Sequence, residues 1–207
     1  MSAALELRGF VLASASPRRL DLLAGIMGPP IVRPASVDES PMRGERPRAL
    51  VERLARTKAT HVVAGGEIAL GADTVVVVDD DVLGKPTDAV AAARMLRQLS
   101  GRSHHVLTGV AVADHRGDEV ALRSGVALTE VRFAELSSAD IDEYIATGDP
   151  FDKAGGYGIQ SGAGRFVEAI VGRYDTVVGL PLDLAVSLLG LTATLGPAVT
   201  SSARPSS

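Results

Sequence analysis

The chain has 207 residues, enough for one sizeable core, and its 46% hydrophobic and 22% charged residues exclude the low-hydrophobicity signature of disorder. A formal net charge of -4 with 3% aromatics and no Trp excludes a global positive field or a stacked aromatic platform for a nucleic acid polymer. With no cysteine, thiolate catalysis, disulfides and cysteine zinc sites are excluded as well.

Met1 to Arg8 contains Glu6 and lacks the basic flank and long apolar centre of a secretory signal. No later apolar run reaches the roughly 20 residues of a spanning helix. The expectation is a soluble cytoplasmic protein without membrane partners.

In chain order, Phe10 to Ala13 reads as a short buried strand, and Ser16-Pro17 opens a helix that ends near Gly25. Ile31 to Arg33 is a second short strand and Val37-Asp38-Glu39-Ser40 a polar loop. Pro47 to Val63 is a helix with Leu50, Val51, Leu54, Ala55, Ala59 and Val62 on its apolar face. Ile68 to Val78 is a long β-branched strand, Asp79-Asp80-Asp81 a turn, and Val82-Leu83 a return strand. Thr87 or Asp88 caps a helix through Leu99. His104 to Ala113 and Val120 to Phe133 form a hairpin, and Ser137 or Ser138 caps a helix to Ala146.

Gly155-Gly156-Tyr157-Gly158, followed by Gly162 and Gly164, is loop or irregular strand. Phe166 to Val171 and Thr176 to Val178 read as strand or edge segments, and Pro181 starts a last helix through Leu189. Helices alternating with strands, plus a long antiparallel pair, predict an α/β fold around a mixed sheet. Residues 10–191 are expected to form a single domain, with 1–9 and 192–207 as flexible termini.

Four segments carry chemistry. In Ser14-Ala15-Ser16-Pro17-Arg18-Arg19, a capped helix start with Pro at its first position leaves backbone amides beside two guanidinium groups, either an anion site or a capped surface helix. Asp73 lies inside a run buried on both faces, where a carboxylate costs several kcal/mol, on the order of a lost hydrogen bond or more, unless it meets a cation, a metal or donors. Lys58 shares a helical face with Val51, Ala55 and Val62, so it is either drawn into a site or snorkels to water. Lys85 follows Gly84 but precedes Pro86, with Asp79 where a phosphate loop needs glycine, so it is not a Walker lysine. It remains a point charge for phosphate or an ordinary surface residue. The four histidines have no metalloprotease spacing and read as structural, and the Asp79 to Asp81 run reads as a solvated turn.

Taken together, Leu12 to Arg19, Val37-Asp38-Glu39, Ala55-Arg56-Thr57-Lys58-Ala59, Gly71-Ala72-Asp73-Thr74-Val75-Val76, Leu83-Gly84-Lys85-Pro86, Asp152 to Gln160 and Val178-Gly179-Leu180-Pro181 resemble the Maf family of nucleotide pyrophosphatases. The resemblance covers about residues 10 to 190, with seven motifs in order. It implies an elongated α/β protein like the inosine triphosphatases, with a mixed sheet flanked by helices and two lobes around a central cleft. It also implies a homodimer, a divalent cation (Mg²⁺ or Mn²⁺), and release of a monophosphate and pyrophosphate from a nucleoside triphosphate.

By the same resemblance Asp73 is the catalytic carboxylate, Glu39 and Asp73 bind the metal, and Ser14, Arg18, Arg19, Lys58, Thr74, Lys85 and Gln160 bind substrate. Arg18, Thr74 and Gln160 resemble the branch of the family that prefers dTTP and UTP over 7-methyl-GTP. Gly156, Ser161 and Arg165 depart from the residues more usual there. Gln160 carries both a donor and an acceptor, as reading the imide edge of uracil or thymine requires. The rival readings are a pyrophosphatase for modified or purine nucleotides and a nucleotide-binding regulator of septum formation. One difficulty stands: successive residues of a regular strand face opposite ways, so Asp73 and Thr74 share a site only at a bulge or a strand end.

Overall fold

The computed structural model of the chain describes residues 9–191, so the expectations for 1–8 and 192–207 fall outside the described residues. Seven strands and six α-helices follow one another as β1 (Phe10–Leu12), α1 (Pro17–Met27), β2 (Ile31–Val32), α2 (Pro47–Val62), β3 (Ile68–Val78), β4 (Asp81–Leu83), α3 (Ala89–Leu99), β5 (Ser103–Asp114), β6 (Ala121–Phe133), α4 (Ser138–Ala146), β7 (Val167–Val171), α5 (Tyr174–Val178) and α6 (Leu182–Leu188). The strands form one mixed sheet in the order β2-β1-β3-β5-β6-β7, with β4 paired to β3. β1 runs parallel to β2 and β3, whereas β4 is antiparallel to β3 and β7 to β6. This is the expected α/β fold with a mixed sheet. No described helix is long and apolar enough to cross a membrane.

The turn between β3 and β4 takes positive φ at Asp79 and Asp80, 48° and 67°. Two consecutive left-handed residues match the twist of a tight hairpin, and aspartate tolerates that region better than most side chains. The acidic run is thus a turn, as its composition suggested.

One segment differs from expectation. Thr176 to Val178 belongs to the short helix α5 rather than to a strand. Its β-branched content is overridden because Arg173 closes on buried Asp175, with Nη2 to Oδ2 at 2.6 Å, and this fixes a helical turn between Gly172 and Gly179. The glycine-rich stretch is irregular, as expected: Tyr157 and Gly158 lie outside any helix or strand, between short 3₁₀ turns at Ala154–Gly156 and Gly162–Phe166.

The described residues divide into two compact units. The first holds the residues up to Asp73, Thr108–Ala127, and those from Gly179 on. Its core joins Phe10, Leu12, Leu23, Met27, Ile68, Leu70, Val110, Val112 and Leu180, with Ala185 from α6. Each large apolar side chain so buried contributes roughly 1.5–3 kcal/mol. The second unit, Thr74–Leu107 and Leu128–Val178, is built on Met95, Leu96 and Leu99 of α3 and an aromatic group of Phe133, Tyr144, Tyr157 and Phe166. These rings meet edge to face, Phe133 and Tyr157 at 4.8 Å between centroids.

Within the first unit, α2 lies directly on the sheet because two strand positions carry no side chain. A Cβ at Gly71 of β3 would stand 2.3 Å from the carbonyl oxygen of Ala55, and one at Gly109 of β5 would stand 2.3 Å from that of Val51. Helix and sheet backbones therefore touch, and the helix face bearing Lys58 is brought down onto β3.

Candidate active site

Asp73 sits near the middle of β3, 8% exposed. β1 pairs with Ile68 to Leu70 and β4 with Val76 to Val78, so neither ladder reaches residues 71–75. β3 itself continues through Asp73 and Thr74, so the expected strand end is not found there, and the interruption lies in the pairing along this edge. The Ala72 carbonyl accepts instead from Arg19 Nη1 at 2.9 Å.

Lys58 meets this carboxylate from α2. Its Nζ donates to Asp73 Oδ1 at 2.6 Å and lies 2.7 Å from Glu39 Oε1. Lys58 is therefore the buried partner of two carboxylates, not a snorkelling surface lysine. Glu39 stands on the loop before α2 with its side chain half exposed.

Burial raises the pKa of Asp73 above the usual aspartate value. Lys58, by charge and by hydrogen bond, and Arg19 pull the other way, while Glu39 adds to the rise. Burial is the largest effect, so Asp73 is a stronger base than a free aspartate even beside an ammonium.

The start of α1 contributes two further cations to this unit. Ser16 occupies the cap position, but its hydroxyl makes no capping bond. Buried Ser14 instead turns the chain ahead of the helix: its Oγ accepts from the Ser16 amide at 3.2 Å and from Arg19 Nη1 at 3.1 Å. Arg19 Nε donates to the Gly179 carbonyl at 2.8 Å. Burial lowers the pKa of Arg19, with Asp73 and Glu39 opposing the shift and Arg18 adding to it. Arg18, partly buried, stands beside it at the second position of α1.

Ser14, Arg18, Arg19, Glu39, Lys58 and Asp73 thus fall in the first unit, and direct bonds join Ser14 to Arg19 and both carboxylates to Lys58. The other three expected residues belong to the second unit. Thr74 is the half-buried residue after Asp73, Lys85 is exposed after β4, and Gln160 is exposed between two 3₁₀ turns. In that unit the Gly155 amide donates to the Gly84 carbonyl at 2.9 Å, which ties the Lys85 segment to the glycine-rich one.

The donors available to a metal are carboxylate oxygens. Among the described residues no group of three or more His, Asp or Glu could form a cage. Two carboxylates converging on one cation nevertheless fit Mg²⁺ or Mn²⁺, hard ions that take one or two carboxylates beside substrate phosphates.

Two side chains that sequence reasoning passed over bear on the same place. Arg53 of α2 and Glu45 of the preceding loop form a two-toothed ion pair. A glutamate before the helix start has no periodic relation to an arginine inside it, so no spacing rule marks the pair.

A family model described as Maf-like protein matches residues 9–191. Among curated relatives, a dTTP/UTP pyrophosphatase of Anaeromyxobacter dehalogenans (strain 2CP-C) is 50% identical over 179 residues, covering 86% of this chain and 91% of the relative. A dTTP/UTP pyrophosphatase of Geobacter sp. (strain M21) is 47% identical over 190 residues, 90% and 96% of the two chains. One of Moorella thermoacetica (strain ATCC 39073 / JCM 9320) is 50% identical over 184 residues, 87% and 93%.

Proposed function

The chain belongs to the Maf-like protein family, and we propose that it is a nucleoside triphosphate pyrophosphatase that hydrolyses dTTP and UTP to the monophosphate and pyrophosphate. Relatives of about half identity over most of both chains carry that activity in their names. The observation that carries the mechanism is the buried Asp73 carboxylate held by the Lys58 ammonium, in the unit that also bears Arg18 and Arg19.

Asp73 accepts a proton from the attacking water. The water oxygen bonds to the α phosphorus as the bond from that phosphorus to the bridging oxygen breaks, and pyrophosphate leaves with the bridging oxygen. A base whose pKa is raised toward neutrality serves this step better than a free aspartate. Lys58 keeps Asp73 ionised before the reaction and stabilises negative charge nearby during it. Arg18, at the positive end of α1, faces phosphate oxygens, and Arg19 braces that corner through its bonds to Ser14, Ala72 and Gly179.

Glu39 and Asp73 are the residues that would hold Mg²⁺ or Mn²⁺, which when bound neutralises charge on the phosphates and the leaving group. Substrate-binding roles for Thr74, Lys85 and Gln160 stand as proposals on the family resemblance. A single domain over 10–191, a homodimer and a cytoplasmic setting are proposed on the same ground.

The test is a panel of nucleoside triphosphates with Mg²⁺ or Mn²⁺, scored by product. Monophosphate and pyrophosphate from dTTP and UTP are expected. Release of diphosphate and phosphate means attack at the γ position and a different enzyme. No turnover with any triphosphate favours a nucleotide-binding regulator, and preference for 7-methyl-GTP or a purine nucleotide moves the chain to another branch of the family.

A further inference from the structure

Arg53 sits on α2 five residues before Lys58 and takes no part in the chemistry above. Its Nε and Nη2 donate to Glu45 Oε1 and Oε2, each at 2.7 Å. The same Nη2 donates to the main-chain carbonyl of Ser40 at 3.1 Å. Glu45 Oε2 also accepts from the Met42 amide at 3.0 Å, and Asp38 Oδ1 accepts from the Ser40 amide at 2.9 Å. Residues 38–45 are thus a loop tied to itself and fastened to α2 at the residue that follows Glu39.

The fastening matters because the Glu39 side chain is 51% exposed, and an ion pair open to solvent is weak and easily screened. Fixing the loop backbone beside it lowers the entropy lost when Glu39 meets Lys58. The Arg53 to Glu45 fork supplies that restraint. The Glu45 side chain is 9% exposed, and the fork, with the Met42 amide, holds its carboxyl down at about 2, so the pair stays charged at neutral pH.

We propose that Arg53 and Glu45 are positioning residues that hold Glu39 at the Lys58–Asp73 pair, so that the second carboxylate is in place before the cation-loaded nucleotide arrives. This role rests on the reading of Glu39 as a metal-holding carboxylate.

Arg53→Lys keeps the charge and the stem but cannot form the fork together with the bond to Ser40, and Glu45→Gln removes the charged acceptor. Both are made alone and on a Glu39→Gln background, and folding is verified by thermal melts. The first readout is Mn²⁺ binding by electron paramagnetic resonance in the presence of the non-hydrolysable α,β-methylene analogue of UTP. The second is the half-saturating Mn²⁺ concentration for UTP turnover, with KM for UTP measured at saturating Mn²⁺. Each single variant is expected to weaken Mn²⁺ binding roughly tenfold, the lower end for residues that orient metal ligands. KM for UTP should stay within about twofold at saturating Mn²⁺, and neither change should add to the effect of Glu39→Gln.

If Glu39→Gln impairs Mn²⁺ binding while Arg53→Lys and Glu45→Gln leave it at the native value, the positioning role is overturned and the reading of Glu39 stands. If their effects persist at full size on the Glu39→Gln background, they act elsewhere and the role is again overturned. If Glu39→Gln itself changes nothing, the reading of Glu39 fails and this role with it. Should Arg53→Lys not fold, Glu45→Gln decides by the same criteria.

Discussion

Lys58 and Asp73 face each other across 2.6 Å with side chains 9% and 11% exposed, yet Asp73 remains a weaker acid than a free aspartate. Burial therefore outweighs the attraction of the ammonium, and the ionised carboxylate is a net cost to the folded chain. An acid with a raised folded pKa contributes stability below its unfolded value and loses it as pH rises through the folded one.

Asp73→Asn fixes this position in a neutral form. Pyrophosphate release is expected to fall roughly 10²- to 10⁴-fold, the span of a general base. At pH 7 the variant should melt at or above the native temperature, and the difference should vanish under acid, where the native carboxyl is protonated. Native turnover in this variant would sink the mechanism, and a marked drop in melting temperature would sink the energetic account of the pair.

Lys58→Met should do the opposite to stability. It leaves Asp73 buried without its nearest cation, a loss of about 3–5 kcal/mol for breaking such a pair from one side. Protonation relieves the orphaned carboxylate, so urea unfolding at pH 7 and at pH 4 should show a smaller deficit at the lower pH. An equal deficit at both would mean that lost side-chain contacts, not charge, set the cost.

Gly71→Ala places a methyl carbon 2.3 Å from a main-chain oxygen of α2, and neither backbone can yield cheaply. Overpacking costs about 1–3 kcal/mol and sometimes more, so a lower melting temperature is expected. Activity should drop too, because lifting the helix separates Lys58 from Asp73. Gly65→Ala is the control: its added methyl meets nothing within 4 Å and should leave both readouts near native.

His104 gives a pH dependence separate from the active site. It is 1% exposed, its Nε2 lies 2.8 Å from Tyr157 Oη, and its Nδ1 has no hydrogen-bond partner among the described residues. Burial first, and His105 second, lower its pKa to about 4. The unfolded chain thus binds a proton that the folded chain refuses, and stability falls as pH drops from about 6.5 toward 4, by about 3 kcal/mol from this group. Replacing His104 with Phe should flatten the pH dependence of the urea midpoint over that window, and an unchanged slope would exclude His104 as its source.

Much of this arrangement was legible in the sequence where periodicity is strong. β3 spans the expected Ile68 to Val78, and α2 ends one residue before its expected limit, because β-branched runs and a helical apolar stripe each leave a clear pattern. Burial logic alone singled out Asp73 and Lys58, since ionisable groups on apolar faces need a reason to be there. Glu39 was different. It lies exposed in a polar loop with no period, and only the family resemblance marked it.

The open edge of β3 beside Asp73 was not legible, because it depends on where two other strands stop. The Arg53 to Glu45 fork left no trace, since it joins a helix to a loop whose path is not written in any spacing. Thr176 to Val178 misled because strand propensity reports a fit to a pleated surface, and here a local ion pair and two flanking glycines chose otherwise.

Arg19 ends on one hydroxyl and on the main-chain oxygens of Ala72 and Gly179. Every amino acid carries a carbonyl, so the identity of residues 72 and 179 is immaterial to this guanidinium as long as the chain's path is kept. Substitution at either position would reach it only by moving the backbone, and mutational scanning there would report on chain geometry while staying silent about the arginine it supports.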